Sequence, residues 1–402
     1  MQPAGACPLY QHDNPSTLGH IARDLGEAYL EREPLNYNQK RVFRRLAECQ
    51  TAALGGALWQ CRDCRRWVPV YHSCRDRHCP NCKARERAEW VQSRLGELLP
   101  IPYFHVVFTL PHTINPLVFR NPKEVLGLLF RSASQTLLQF AQDPRYLGAK
   151  PGVVMVLHTW GRKLNLHYHV HCVVTGGGFS KTGNAWTPCP RKNYLFPVRA
   201  LSKVFRAIFI SGLDKKFAAL NKPDNLSTSV SWATFKRKLL SKKWVVYAKE
   251  PFGGPEQVLK YLGQYTNRAA ISNQRILSNQ NGRVIFTYKD YKDGEKLKRL
   301  NLSAEDFMHR FLLHVLPSGF HRIRYFGFLA PRNKKQALAK AHAILGKPDL
   351  KTPKPEILQE ESLPGEDEEV RLCPHCKGQL LLQRTMTQLD QKRARCLLWD
   401  SS

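Results

Sequence analysis

Acidic residues are scarce in this sequence, which has 32 aspartates and glutamates against 62 lysines and arginines. The resulting formal charge of +30 at pH 7 is far more than solubility requires and favours a polyanion as partner, with nucleic acid as the first candidate. The 402 residues, of which 43% are hydrophobic, are enough for two or three domains with a buried core.

Two kinds of apolar segment are missing. No apolar run reaches the length of a transmembrane helix, and residues 1–5 lack the charged and apolar regions of a signal peptide. We therefore expect a soluble protein of the cytoplasm that has no membrane partner.

The 12 cysteines are clustered, which in a reducing compartment favours metal ligation over disulfide bonds. Two CxxC motifs, formed by Cys61 with Cys64 and by Cys79 with Cys82, are separated by fourteen residues. This spacing predicts one structural Zn²⁺ site with these four cysteines as ligands, in a zinc-ribbon-like module.

Other candidate zinc ligands surround these motifs. Cys74 and His78 lie between them and Cys49 lies upstream, so a second site or an exchanged ligand stays open. A further motif, Cys373 to Cys376, has only Cys396 downstream and is an incomplete ligand set.

Arginines are frequent around the first two motifs. Arg75 and Arg77 are of the type that contacts DNA phosphates, although such charges also serve to keep a small module in solution.

An apolar run from Leu166 to Val174 contains histidines at alternate positions, His167, His169 and His171. Because successive strand side chains point to opposite faces, the three share one face, with neighbours about 6.6–6.8 Å apart. Adjacent imidazoles can bind one cation, and positions left open would suit Mg²⁺ or Mn²⁺ with a phosphate oxygen. We predict His169 and His171 as ligands and keep His167 as a further candidate.

His158 ends an earlier predicted strand, and a hairpin would bring it near this face. It could be a ligand, a DNA contact or a structural residue, and the structural role is favoured. Strands flanked by helices, with chemistry on a central strand, favour an α+β layered domain.

Tyr261 and Tyr265 are four residues apart in a segment that begins at Pro255 and is predicted to be helical, so they share a face. A phenol can attack a phosphodiester if a cation polarises the phosphate, and the histidine strand offers such a cation. Gln264 is a candidate third metal ligand. Lys260 and Arg268 are candidate phosphate contacts, with solvated helix charge as the alternative.

The sequence closely resembles the two-tyrosine transposases of rolling-circle insertion sequences, the IS91 family, within the HUH endonuclease superfamily. The resemblance spans roughly residues 40–330 and is carried by these segments: Ser73–Cys82, Phe104–Pro111, His158–Gly161, His167–His171, Tyr261–Arg268, His309–Pro317 and Arg322–Gly327.

The resemblance implies a ferredoxin-like HUH core with His169 and His171 as the metal pair and Tyr261 and Tyr265 as nucleophiles. Members are taken to nick single-stranded DNA at an element end, keep a 5′-phosphotyrosine, leave a 3′-hydroxyl and transfer the strand. The zinc module is expected to help bind DNA ends, in the bacterial cytoplasm and with the nucleoid. Gln264 stands where several related initiators have lysine.

We therefore predict a DNA transposase with three regions. Residues 1–100 form a helical and zinc-binding module, residues 101–330 the catalytic domain, and residues 331–402 a basic segment, an acidic flexible linker and the last CxxC motif. The alternatives are a rolling-circle replication initiator, which would share the chemistry, and a non-catalytic zinc-dependent DNA-binding protein.

Overall fold

The structure is a computed structural model that describes residues 16–82, 93–94, 96–191, 195–249, 257–258, 269–290, 293–348 and 371–387. The helices in these ranges are α1 Leu18–Arg32, α2 Tyr37–Glu48, α3 Asn115–Arg120, α4 Pro122–Gln142, α5 Val198–Lys215, α6 Ser229–Ser241, α7 Ala304–Leu312 and α8 Lys334–Leu345. The strands are β1 Gly56–Cys61, β2 Trp67–Tyr71, β3 Tyr103–Thr109, β4 Lys150–Trp160, β5 Leu166–Phe179, β6 Trp186–Pro188, β7 Val246–Lys249, β8 Ile276–Gln280, β9 Arg283–Asp290, β10 Lys296–Ser303, β11 Ile323–Gly327 and β12 Leu380–Met386. In this part of the chain, no helix has both the length and the apolar character needed to cross a membrane.

The strands form three sheets, and the pairs within them are antiparallel. The largest sheet has the order β11-β4-β5-β3-β7, with β6 paired to the end of β5. The other two have the orders β10-β9-β8 and β12-β1-β2. Antiparallel sheets combined with helices confirm the α+β class predicted from the sequence.

The large sheet presents two different faces. On one face, Val170 and Cys172 of β5 are buried in a core that also contains Phe130 of α4 and Phe205 of α5. Because side chains alternate along a strand, the three histidines of β5 project from the opposite face. The sequence pattern predicted this division of the strand.

The two N-terminal helices begin at side-chain caps, where Thr17 accepts from the His20 N–H and Asn36 accepts from the Gln39 N–H. Pro34 lies in the loop between them. Their apolar faces share one core with α7 and the β8–β10 sheet. The predicted domain boundary at residue 100 therefore separates segments that pack against each other.

The C-terminal segment is part of the N-terminal sheet. Strand β12 pairs with β1, and Leu380 lies opposite Cys61. The last CxxC motif, which the sequence placed at the end of the region 331–402, is therefore joined to the zinc-binding region by backbone hydrogen bonds.

Gly327 lies where β11 and β4 approach closely. Its φ is +67°, and the carbonyl oxygen of Pro151 occupies the space that a Cβ would need. That oxygen also accepts a hydrogen bond from the Phe328 N–H at 3.1 Å, so it cannot move away freely. We expect Gly327→Ala to lower the free energy of unfolding, measured in urea, by about 3 kcal/mol.

Gly319→Ala is the matched control, because Gly319 has a φ of +71° but no atom within 4 Å of a built Cβ. It should cost only the left-handed conformation, about 1 kcal/mol. An equal decrease in the free energy of unfolding in the two variants would show that the close backbone approach at Gly327 does not contribute to the cost of the substitution.

Candidate metal centres

Three histidines from two neighbouring strands converge on the sheet face opposite α4 and α5. His158 of β4 lies directly across from His169 of β5. The His171 ring centroid is 4.6 Å from that of His158 and 4.9 Å from that of His169. The nitrogen atoms that the three rings offer to a metal all lie within 4.8 Å of one another.

Hydrogen bonds at Nδ1 orient two of these rings. Nδ1 of His169 donates to the carbonyl oxygen of His167 at 2.8 Å. Nδ1 of His171 lies 3.1 Å from Nε2 of His105. Each ring is thus held through Nδ1, which leaves Nε2 as the nitrogen available to a metal, as is usual for metal-binding histidines.

Burial keeps the imidazoles of His169 and His171 neutral. It lowers the pKa of His171 to about 3 and that of His169 well below its ordinary value, and neighbouring imidazoles act in the same direction. Since a cation binds the neutral ring, both side chains are in the ligating form at pH 7. Three imidazoles on one face of the sheet fit a divalent cation with open positions.

The first of two cysteine clusters lies at the end of α2. Its members are Cys49, Cys74, Cys79 and Cys82. The Sγ of Cys49 is 3.5 Å from those of Cys79 and Cys82, and Cys74 is also 3.5 Å from Cys82. Four thiolates about 2.3 Å from a tetrahedral zinc have sulfur atoms about 3.8 Å apart, so the cluster has the size of a zinc site.

The second cysteine cluster joins the two ends of the chain. Its members are Cys61, Cys64, Cys373 and Cys376. The Sγ atoms of Cys61 and Cys376 are 3.4 Å apart, and those of Cys64 and Cys373 are 3.7 Å apart. This cluster also has zinc-site dimensions.

The predicted grouping of Cys61, Cys64, Cys79 and Cys82 in one site is therefore wrong. The β1–β2 hairpin carries the first motif at its turn, whereas the chain beyond β2 returns to the end of α2, where the His72 carbonyl accepts from the Gln50 N–H at 3.1 Å. The two motifs consequently lie in different clusters. Of the candidates left open, Cys49 and Cys74 join the second motif.

Two family models match the chain. One, described as "Putative transposase", matches residues 152–337, and the other, described as "Transposase zinc-binding domain", matches residues 21–110. The three histidines fall in the first match, and six of the clustered cysteines fall in the second.

Curated relatives extend these matches over nearly the whole chain. "Putative transposase y4qJ" of Sinorhizobium fredii is 44% identical over 96% of this chain and 98% of its own length. The transposase for insertion sequence element IS801 of Pseudomonas savastanoi pv. phaseolicola is 30% identical over 79% of this chain and 76% of its own. The chain belongs to the IS91 family of transposases. Its function is accordingly in DNA transposition. Of the two predicted enzymes, this favours the transposase over the replication initiator.

A solved structure of the conjugative relaxase TrwC, in complex with oriT DNA and metal-bound, also matches this transposase. It covers 60% of this chain and 93% of its own, at 13% identity and a TM-score of 0.24. That TM-score is too low to establish a common fold.

Two predicted site residues of the transposase have internal structural roles instead. Arg77 was expected to contact DNA, but its guanidinium donates to the carbonyl oxygens of Phe320 and Pro317 at 2.7 and 3.0 Å. His78 was a candidate zinc ligand, but its Nδ1 donates to Asp76 at 2.9 Å and its Nε2 accepts from the Leu316 N–H at 3.4 Å. Both predictions are wrong because these groups fasten the zinc-binding loop to the segment after α7.

The other predicted residues fall into three groups. His167 is not among the histidines whose nitrogens lie within 4.8 Å of one another, although its ring centroid is 4.8 Å from that of His169 and 5.5 Å from that of His112. Arg75 is exposed, and its contact with DNA stays a prediction. Five predicted residues lie outside the described part of the chain, namely Tyr261, Tyr265, Gln264, Lys260 and Arg268.

Sequence reasoning undervalued His158 and missed His105 in this transposase. A signal for His158 was present, because its strand precedes the histidine strand by a short hairpin loop. No signal pointed to His105, whose contact with His171 depends on the pairing of β3 with β5.

His105→Phe keeps a ring beside His171 but removes the nitrogen that contacts it. We expect the variant to bind Mn²⁺ about 10- to 100-fold more weakly, because such partners fix the tautomer of a ligating imidazole. Calorimetric titration of the purified transposase with Mn²⁺ measures this change. His112→Phe, outside the cluster, should bind Mn²⁺ as the wild type does, and unchanged affinity in His105→Phe would contradict the role of His105.

Proposed function

We propose that this transposase nicks single-stranded DNA at element ends through a tyrosine and transfers the strand in rolling-circle transposition, on a ferredoxin-like catalytic core. The observation that carries the proposal is the cluster of His158, His169 and His171 on one face of the large sheet. A purely structural role of the sheet face would not require three imidazoles around one point.

The histidines and tyrosines take different roles. His158, His169 and His171 would hold the divalent cation, for which Mn²⁺ suits nitrogen ligands better than Mg²⁺ does. When bound, the cation would polarise the scissile phosphate and offset its charge. The site needs no acidic residue for this, because all three ligands come from imidazoles.

Tyr261 or Tyr265 supplies the nucleophile. Its phenol oxygen loses a proton and attacks phosphorus, and the bond from phosphorus to the 3′-oxygen breaks. The leaving oxygen takes up a proton to become a 3′-hydroxyl, while the 5′-phosphate stays on the tyrosine. The second tyrosine accepts the other strand or the return transfer, and Lys260 and Arg268 bind flanking phosphates.

Val258, which precedes the tyrosine segment in the sequence, packs against the face of the sheet that carries the histidines. It is fully buried, and it lines one cavity together with Val154 of β4 and Val173 of β5. Val173 lies two residues beyond His171 and therefore on the same face. Tyr261 follows Val258 by three residues, which limits the distance between their Cα atoms to about 11 Å.

The test uses the full chain, Mn²⁺ or Mg²⁺, and end-labelled single-stranded DNA carrying the cognate element end. We expect a labelled protein adduct on a denaturing gel that disappears with chelator and in the Tyr261→Phe/Tyr265→Phe double variant. The two single variants should each retain part of the adduct and so assign the order of attack.

Tyr37→Phe is the control, since Tyr37 is an exposed phenol on α2, outside the large sheet, and its loss should leave the adduct unchanged. Retained DNA binding without an adduct on a verified end would overturn the proposal in favour of a non-catalytic DNA-binding protein. An adduct that survives in the double variant would exclude these tyrosines as nucleophiles.

A further inference from the structure

We propose that Cys61, Cys64, Cys373 and Cys376 bind a second structural Zn²⁺ that is shared between the two ends of the chain. The family model for the zinc-binding domain ends at residue 110, so it does not include the C-terminal pair. The sulfur atoms of Cys64 and Cys373 nevertheless lie 3.7 Å apart across 309 residues of sequence.

The two CxxC motifs have the same backbone turn. The Cys61 N–H donates to the Arg66 carbonyl at 2.9 Å, and the Cys373 N–H donates to the Gly378 carbonyl at 2.7 Å, in each case five residues further on. In the reverse direction, the residue after the second cysteine of each motif donates to the carbonyl of the first, at 3.0 and 2.9 Å.

The residue after the second cysteine also has the same unusual conformation in both turns. The φ is +57° at Arg65 and +63° at Lys377, in the left-handed region that non-glycine residues rarely adopt. Two equal turns that direct their thiols at one point form a paired ligand set. Chance proximity of four cysteines would not require matching backbone geometry.

The surroundings suit the charge of such a site. Zinc with four thiolates has a net charge of −2, and exposed basic residues flank both motifs, including Arg62, Arg65, Arg66 and Lys377. The pairing of β12 with β1 continues from the motifs, with the Arg62 N–H donating to the Gln379 carbonyl at 2.9 Å.

The two zinc sites differ in access to solvent. Cys64 and Cys376 are exposed, whereas Cys49, Cys74 and Cys79 are buried in the core shared by α1, α2 and α7. A thiol reagent should therefore release zinc from the shared site first.

The first measurement is the zinc content of the full chain after gel filtration, by mass spectrometry of the metal. We expect two zinc ions in the wild type and one in Cys373→Ser/Cys376→Ser. Cys189→Ser is the control, because Cys189 lies outside both clusters, and it should keep two. Two zinc ions in the double variant would overturn the proposal.

Two further readouts do not depend on that count. Cadmium-113 resonance of the substituted wild type should show two tetrathiolate signals, and a single signal would count against the shared site. Titration of the wild type with a mercurial should release zinc in two phases, of which the double variant keeps only the slower one. In the double variant, hydrogen exchange should increase in Gly56–Cys61, which loses β12 but keeps β2 as a partner strand, and unchanged exchange there would contradict a role in holding β12.

Discussion

His158→Ala is expected to reduce nicking of the cognate single-stranded end by at least about 10³-fold at 1 mM Mn²⁺. His158 supplies one of three imidazoles that lie within 4.8 Å of one another, so its loss leaves two ligands for the cation. A bound cation contributes several kcal/mol to stabilising the charge at a transferring phosphate, and each 1.4 kcal/mol corresponds to about a factor of ten in rate.

The measurement is the rate of adduct formation under single-turnover conditions, together with DNA affinity at the same salt concentration. Affinity should change less than about threefold, since the basic surface that binds the phosphate backbone is intact. Partial recovery of the rate at higher Mn²⁺ would locate the defect in metal binding.

His167→Ala is the matched control, because His167 is on the same strand and face and its ring neighbours that of His169 at 4.8 Å, but its nitrogens are not part of the three-histidine group. We expect it to retain nicking within about threefold of the wild type. If His167→Ala abolished nicking and His158→Ala did not, the metal ligands would be His167, His169 and His171 of β5. The group that includes His158 of β4 would then be excluded as the ligand set.

Cys79→Ser is expected to have the second large effect, on stability. Cys79 is 1% exposed, and its cluster is part of the core formed by α1, α2, α7 and the β8–β10 sheet. Loss of zinc there would leave the remaining thiols facing an apolar interior and would release the loop that Arg77 and His78 hold. We expect the free energy of unfolding to fall by about 5 kcal/mol or more.

Thermal unfolding of the purified variant, with its zinc content, measures this loss. Prolonged chelation of the wild type should lower the unfolding midpoint in the same direction. Cys189→Ser, which changes a cysteine outside the clusters, should leave the midpoint within about 2 °C of the wild type. An unchanged midpoint in Cys79→Ser would show that this cluster does not stabilise the core.

Predictions that depended on short stretches of sequence agree with the structure. The alternation from Leu166 to Val174 predicted which side chains of β5 share a face, because the strand period of two is a local property of the backbone. The histidine strand, the tyrosine pair and the CxxC motifs were sufficient to recognise the family.

Predictions about which motifs meet in space were less successful. The four cysteines of the first two motifs have zinc-ribbon spacing, but spacing alone does not say where a hairpin directs each pair. Cys61 and Cys64 meet ligands from the other end of the chain, and Cys79 and Cys82 meet ligands from the end of α2. The roles of Arg77 and His78 depended on the segment after α7, which lies about 240 residues away.

The sequence by itself determined the class of the fold, the family, the basic charge and the face of β5 that presents histidines. Only the tertiary structure decided that His158 completes the cluster, that His105 orients His171 and that both ends of the chain build one sheet. The physical reason is that periodicity and turn chemistry act between near neighbours. Ligand sets instead depend on strand register and on contacts between distant segments, which form only when the whole core packs.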